Sequence, residues 1–336
     1  MGSASTDAPK PVPSARSRAP VFVMGCHRSG TNLLYDTLLS AGGFAIYRGY
    51  LPVHKMLIPR FGSLRRGANR KKLLEFWLQS ESFRRSALSK DYVEENVLNH
   101  CESGGDFIRI TMDEIARQQG VSRWAVYDPD AVLYVKEIKT EIPNALFIHI
   151  VRDGRDVALS LHKMGGFRPF PWNRRQLGLA ATAVYWSWMV KHGKAAGQKI
   201  PADYLEIRYE DLVSDPKSVL TKLKDFSGHD FNYESIQQRA LGRISEPNSS
   251  FAEEDTLSPT INRWKERLTA EDIAAVETLV GDTLQEFSYE LNANPSNRRN
   301  SFKSVWMRSF LDSKLFLKTR TPLGRFSNLE PLRAID

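Results

Sequence analysis

Apolar positions along the chain fall into two kinds of pattern. Short continuous runs occur at Val21-Phe22-Val23-Met24 and at Ala145-Leu146-Phe147-Ile148-His149-Ile150-Val151. Neither shows the polar alternation of a half-solvated strand, so both read as strands buried on two faces of a sheet. A third strand is expected over Tyr204-Leu205-Glu206-Ile207-Arg208-Tyr209. Each run gives way to a polar turn and then to apolar residues at helical spacing. After the first come Leu33, Leu34, Leu38 and Leu39; after the second, Val157 to Leu161; after the third, a helix near Lys217 to Phe226 that starts beyond Asp215-Pro216. Gly42-Gly43 predicts a turn before a short strand at Phe44–Tyr47. Residues 50–120 are mainly helical in pattern, as at Leu73-Leu74-Glu75-Phe76-Trp77-Leu78. Thr269-Ala270-Glu271-Asp272 is an N-cap followed by first-turn carboxylates, which predicts a helix through Val276 to Phe287. Strands alternating with helices predict an α/β fold with a central parallel β-sheet flanked by helices.

Composition narrows this picture. With 336 residues, 41% of them hydrophobic and 26% charged, the chain has ample core for a globular α/β domain. Residues 1–19, rich in Pro, Ser, Ala and Arg, read as a disordered leader without a secretory h-region. Residues 20–291 read as the domain proper, with 50–120 as a helical insertion on its acceptor side, and 292–336 as a basic extension. The net charge of +8 is concentrated in that extension: from Arg298 onward nine Lys and Arg face three Asp and Glu. A solvated cover for the domain, or a contact with anionic lipid, accounts for such a tail. Nucleic-acid recognition would need a reading helix or stacking motif, and neither is present. The two cysteines, Cys26 and Cys101, offer neither a disulfide framework nor metal-ligand spacing, which suits a cytoplasmic setting.

The candidate chemistry lies in Gly25-Cys26-His27-Arg28-Ser29-Gly30-Thr31-Asn32, between the first strand and its helix. A loop of this kind points successive N–H groups at one spot, and the helix adds the positive end of its dipole. The frame Gly25…Gly30 matches the nucleotide-binding loop G-x-x-x-x-G-K-(S/T). Thr31, however, stands in the lysine's place and Asn32 in that of the magnesium-holding hydroxyl. The cradle therefore suits a phosphate-bearing donor used without a metal, with Arg28 supplying positive charge. A second anion site is expected at Arg152, at a strand's carboxyl end, with Ser160 in the following helix.

The Arg-Ser-Gly-Thr loop resembles that of sulfotransferases using 3′-phosphoadenosine 5′-phosphosulfate (PAPS). The string Val151-Arg152-Asp153-Gly154-Arg155-Asp156-Val157-Ala158-Leu159-Ser160 is similar to that family's element for the 3′-phosphate. The resemblance covers roughly residues 20–290, is nearest the bacterial and Golgi-type branch, and implies a P-loop NTPase-like sulfotransferase fold. It implies that Gly25, Arg28, Ser29, Gly30, Thr31 and Asn32 hold the 5′-phosphosulfate, and Arg152 and Ser160 the 3′-phosphate. Tyr209 would lie near the adenine, and Ser249 or Ser250 near the phosphosulfate. The reaction implied is in-line attack by an acceptor hydroxyl, from a carbohydrate, lipid, small molecule or protein tyrosine, on the sulfur. Two alternatives stand beside it: a kinase-like nucleotide transferase, and a nucleotide-binding protein without catalysis.

The sequence departs from the family where a base is needed. Many relatives carry a Glu after the second strand and a Lys before a Pro. Here those stretches read Tyr47-Arg48-Gly49-Tyr50-Leu51-Pro52-Val53-His54 and Ala125-Val126-Tyr127-Asp128-Pro129-Asp130. Asp128 and His54 are the candidate bases, although Asp128 before Pro129 also fits a turn initiator. His149 is assigned to the strand core and His162 to a helix.

Overall fold

The computed structural model describes residues 15–164, 178–245, 261–292 and 302–332. Strand β1 (Val21–Met24) leads through the loop into α1 (Thr31–Ala41), and β2 (Phe44–Ala45) follows. A helical stretch comes next: α2 (Ile58–Phe61), α3 (Gly67–Trp77), α4 (Glu81–Ser86), α5 (Lys90–His100) and α6 (Gly104–Gln118). The chain returns as β3 (Arg123–Tyr127), α7 (Val135–Glu141), β4 (Leu146–Val151), α8 (Gly154–Lys163) and α9 (Leu179–Gly197). Then come β5 (Tyr204–Arg208), α10 (Tyr209–Ser214), α11 (Pro216–Ser227) and α12 (Tyr233–Arg239). Last are α13 (Arg263–Arg267), α14 (Ala270–Glu286) and α15 (Phe302–Arg320).

The five strands form one parallel sheet in the order β2-β3-β1-β4-β5. The expected α/β architecture is therefore present, and β4 is buried along its whole length. Side chains alternate between two cores. Val21, Val23, Leu146, Ile148 and Ile150 pack with α1, α11 and α12 on one face. Phe22, Met24, Phe147 and Val151 pack with α6, α8, α9 and α14 on the other, where the rings of Phe22 and Phe147 stack at 5.5 Å. Helices following β1 and β4 thus sit on opposite faces, which opens a crevice at the carboxyl ends of these adjacent strands.

Strand β3 was not expected from the pattern. Its first residue, Arg123, is a buried cation whose Nε donates to Ala19 O at 2.8 Å, and this polar start masks the strand. The turn Ala15–Arg18 is also structured, and Arg16 Nη2 donates to Ala202 O at 2.6 Å. Structure in this part begins inside the stretch read as a leader. Helix α15 docks through buried Met307 and Leu311, and Trp188 Nε1 donates to Asp312 Oδ1 at 2.7 Å. Among the described residues no helix is long and apolar enough to cross a membrane.

His149 lies in the core as anticipated, fully buried, with Nδ1 2.6 Å from the Tyr204 hydroxyl. Burial lowers its pKa from 6.5 to about 3. Burial, and then the Arg123 charge, lower His229 to about 4. Both are neutral in the fold and protonate first in the unfolded chain. The stability they contribute is therefore complete above about pH 6.5 and is lost as pH falls toward these values, by up to about 1.4 kcal/mol per pH unit for each group. Urea unfolding between pH 7 and pH 4 should show this acid slope, and His149→Gln should flatten it. Equal slopes for the two proteins would contradict the assignment.

Candidate active site

The loop between β1 and α1 is shaped by its backbone. Gly30 has φ +93° and caps α1 without any side-chain hydrogen bond, so the helix's first-turn N–H groups face the loop uncapped by a side chain. A Cβ on Gly30 would lie 2.3 Å from the Tyr209 ring. A Cβ on Gly25 would lie 2.4 Å from Ile150 O. Both positions require glycine, because the loop is wedged between β4 and α10. Arg28 holds a left-handed φ of 72°, a conformation of some cost for a residue with a side chain. Ser29 is fully buried and its Oγ has no hydrogen-bond partner. An orphaned hydroxyl inside a ring of amides is a fitting partner for an oxyanion.

The two expected anion motifs meet. Arg28 Nε donates to Ser160 Oγ at 2.9 Å, and Arg152 Nη1 donates to Arg28 O at 3.3 Å. The Arg152 guanidinium stacks 4.4 Å above the Tyr209 ring. Arg28, Arg152, Ser160, Lys163, Arg263 and Arg267 line a cleft of about 400 Å³ in which Asp156 is the only carboxylate among the described residues. Tyr209 lies buried beneath Arg152 and does not line this cleft. Ser249 and Ser250 fall outside the described residues.

The rest of the second motif holds the cleft's wall in place. Asp156 accepts from Asn262 N at 3.0 Å and Trp264 N at 2.9 Å, which anchors the segment carrying Arg263 and Arg267. Arg155 is buried, pairs with Asp153 Oδ2 at 2.7 Å and Glu277 Oε1 at 2.6 Å, and stacks 3.7 Å from the Trp264 ring. Arg152 pairs with Asp156 at 3.6 Å, and with Ser160 it lines the cleft.

On the other side of the loop the two sequence-derived bases serve packing. Buried His54 has Nε2 2.8 Å from Glu141 Oε2 and stacks on Tyr134. Asp128, also buried, accepts from Asp130 N at 3.2 Å as the cap of the turn Pro129–Leu133. Burial and then the charge of Asp130 raise its pKa well above the usual carboxylate range. Neither residue lines a described cleft. Cys26 is buried too, and burial pushes its thiol up, which removes it as a nucleophile.

A cluster that the sequence reading missed takes their place. One oxygen of Asp130, Oδ2, contacts His27 Nε2 at 3.1 Å, Lys55 Nζ at 2.5 Å and Tyr50 Oη at 3.5 Å. Burial opposes ionisation of Asp130, but Lys55 and His27 hold it below the usual carboxylate range. Residues His27, Tyr50, Lys55 and Tyr127 open into a second cleft of about 690 Å³. Thr31 is buried at the start of α1, and Asn32 lines a third cleft with Arg48, Arg85 and Tyr127.

Comparison with known proteins agrees with this geometry. Residues 20–233 match the model of the sulfotransferase family. The chain belongs to the sulfotransferase family. Cytosolic sulfotransferase 3 of Arabidopsis thaliana is 26% identical over 129 residues, 33% of this chain and 41% of that relative, so the match spans less than half its length. The sulfotransferase domain from the curacin biosynthetic pathway shares the fold with a TM-score of 0.51 at 16% identity, covering 81% of this chain and 98% of that one. A sulfotransferase from Mycobacterium avium gives a TM-score of 0.44 at 16% identity over 82% of this chain and 78% of its own.

The signal for His27 and Asp130 in this sulfotransferase-family member lay in plain view: His27 is inside the loop itself, and Asp130 ends the stretch Ala125–Asp130 in which a base was sought. Arg155 gives the first test of the site's construction. Arg155→Met leaves two buried carboxylates uncompensated and should lower stability by about 3–5 kcal/mol in denaturant unfolding. A loss under about 1 kcal/mol would mean that the Asp153–Arg155–Glu277 cluster is not a structural tie.

Proposed function

We propose that this chain transfers a sulfuryl group from PAPS to an acceptor hydroxyl. The observation that carries the reading is the hydrogen bond between Arg28 and Ser160, which brings the strand-one loop and the strand-four motif into one cationic cleft. In this reading the amides at the start of α1 and Ser29 Oγ hold the 5′-phosphosulfate. Arg152 and Ser160 hold the 3′-phosphate, with Arg28 beside them and Arg263 and Arg267 on the rim. Tyr209 supports the Arg152 guanidinium from below. Bound PAPS supplies a sulfuryl group carried on a phosphate leaving group, and the loop amides stabilise the charge that builds during its departure.

His27 is the proposed general base and Asp130 its positioning partner. Donation from Nε2–H to Asp130 sets the tautomer in which Nδ1 carries the lone pair, an assignment made from the hydrogen bond. His27 Nδ1 takes the acceptor's hydroxyl proton, and Asp130 stabilises the resulting imidazolium. Lys55 keeps Asp130 charged for that purpose.

The kinase-like alternative lacks support in the same residues. Thr31, in the lysine's place, is buried and brings no charge, and Asn32 faces the third cleft. A purely binding role leaves the His27–Asp130 pair at a second cleft without purpose.

Titration calorimetry with adenosine 3′,5′-bisphosphate, AMP and Mg-ATP separates the readings: the bisphosphate should bind most tightly. Arg152→Ala should weaken it about 10- to 100-fold, whereas tight Mg-ATP binding with no response to the bisphosphate would reject PAPS. His27→Asn should lower kcat by about 10²–10⁴-fold while leaving bisphosphate affinity unchanged. An unaltered kcat would remove His27 from the chemistry.

A further inference from the structure

The cleft of about 690 Å³ beyond His27 has a composition that narrows its occupant. One wall comes from the stretch before α2, with Lys55 and Met56. The other comes from the end of α15 and the turn Pro322–Phe326, with Lys314, Lys318, Leu323 and Phe326. The two walls are joined: Gly324 packs so closely on Pro59 O and Lys318 O that a Cβ there would lie 2.9 and 2.3 Å from them. The C-terminal segment is thus a built part of the cleft.

Apolar surface is prominent in this lining. Phe326 is 82% exposed and Leu323 54% exposed, beside Met56 and the Tyr50 and Tyr127 rings. Among the described residues no carboxylate lines the cleft. The nearest, Asp130, already binds Lys55 and His27. Three ammonium groups therefore share one small space. Burial, and then the Lys55 and Lys314 charges, bring Lys318 down to about 8 against the opposing pull of Asp130. Lys314 is lowered by burial and by Lys55 as well. Like charges gathered at the mouth of an apolar cleft are relieved when an anion enters. A cavity of this size matches a small molecule.

Resting on the reading of the site as a sulfuryl-transfer centre, we propose that the acceptor is a small amphipathic alcohol carrying a terminal oxyanion. Its apolar body lies against Met56, Leu323 and Phe326, and its carboxylate or phosphate is held by Lys318 with Lys314. The C-terminal segment, whose charge reads from sequence as a solvated tail, is then the specificity wall of the enzyme.

The test uses the full chain saturated with adenosine 3′,5′-bisphosphate and non-reacting probes, so that it does not depend on turnover. Decanoate and decyl phosphate below their micellar concentrations should bind at least about tenfold more tightly than decanol. Lys318→Met, on the partly exposed face of α15, should abolish that preference while retaining bisphosphate affinity and the melting temperature. Transfer from labelled PAPS to 10-hydroxydecanoate should likewise exceed transfer to 1,10-decanediol in kcat/KM, through KM. Equal binding of decanol and decanoate, or an equal loss of both in Lys318→Met, would overturn the proposal. So would co-sedimentation with phosphatidylglycerol vesicles, lost in Lys318→Met, without any binding of decanoate; that result would make these lysines a membrane contact. Failure of the bisphosphate itself to bind would instead count against the sulfuryl-transfer reading.

Discussion

Arg28 and Ser160, 132 positions apart, share a hydrogen bond of 2.9 Å, and the geometry of the site depends on that meeting. It is a consequence of strand pairing. Parallel pairing of β1 with β4 runs from Val21 opposite Leu146 to Met24 opposite His149. Strand β4 continues only two residues further, to Val151, so both strands open toward the same edge of the sheet. Their helices then leave toward opposite faces of the sheet. What remains between them is a crevice floored by backbone, and two short loops supply its anion-binding groups. Glycine at positions 25 and 30 keeps the loop low enough for this to happen, since any side chain would collide with β4 or with Tyr209.

Electrostatic work is divided sharply within five consecutive residues. Arg152 reaches into the cleft, while Arg155, three residues on, is locked between Asp153 and Glu277 and laid on Trp264. Asp156 faces backbone amides of the segment 262–264 and so fixes the far wall. Arg152 keeps a longer ion pair with Asp156, at 3.6 Å, whereas both partners of Arg155 lie within 2.7 Å. The two arginines are placed differently because Arg152 follows directly on the end of β4 and Arg155 already lies in α8. On the acceptor side a similar division separates Asp128, which caps a turn, from Asp130, which orders His27, Lys55 and Tyr50 around one oxygen.

Much of this was legible in the sequence. The runs at 21–24 and 145–151 carry no polar alternation, and both are strands buried on two faces. The glycine frame and the Arg152–Ser160 interval pointed to two anion-binding elements, and the strand order brings them to one crevice. Strand β3 escaped notice because Arg123 and Trp124 begin it, and its pairing with β1 and β2 is a long-range fact with no local signature. The contacts of the acceptor-side residues were hidden for a related reason. Asp128 and Asp130 are two positions apart around a proline turn, and which of them meets His27 is decided by three-dimensional packing. His54 was attractive as an isolated histidine, but Glu141, 87 positions away, claims it. The charge of the C-terminal segment could be counted from the sequence, yet its docking on α9 through Trp188 and Asp312 could not.

The central claim is that one nucleotide spans the two motifs. A crystal structure of the chain with adenosine 3′,5′-bisphosphate tests it most directly. The account predicts the 5′-phosphate on the amides at the start of α1 beside Ser29, and the 3′-phosphate on Arg152 and Ser160. A bisphosphate bound with its 3′-phosphate elsewhere, or with the loop amides unengaged, would contradict it.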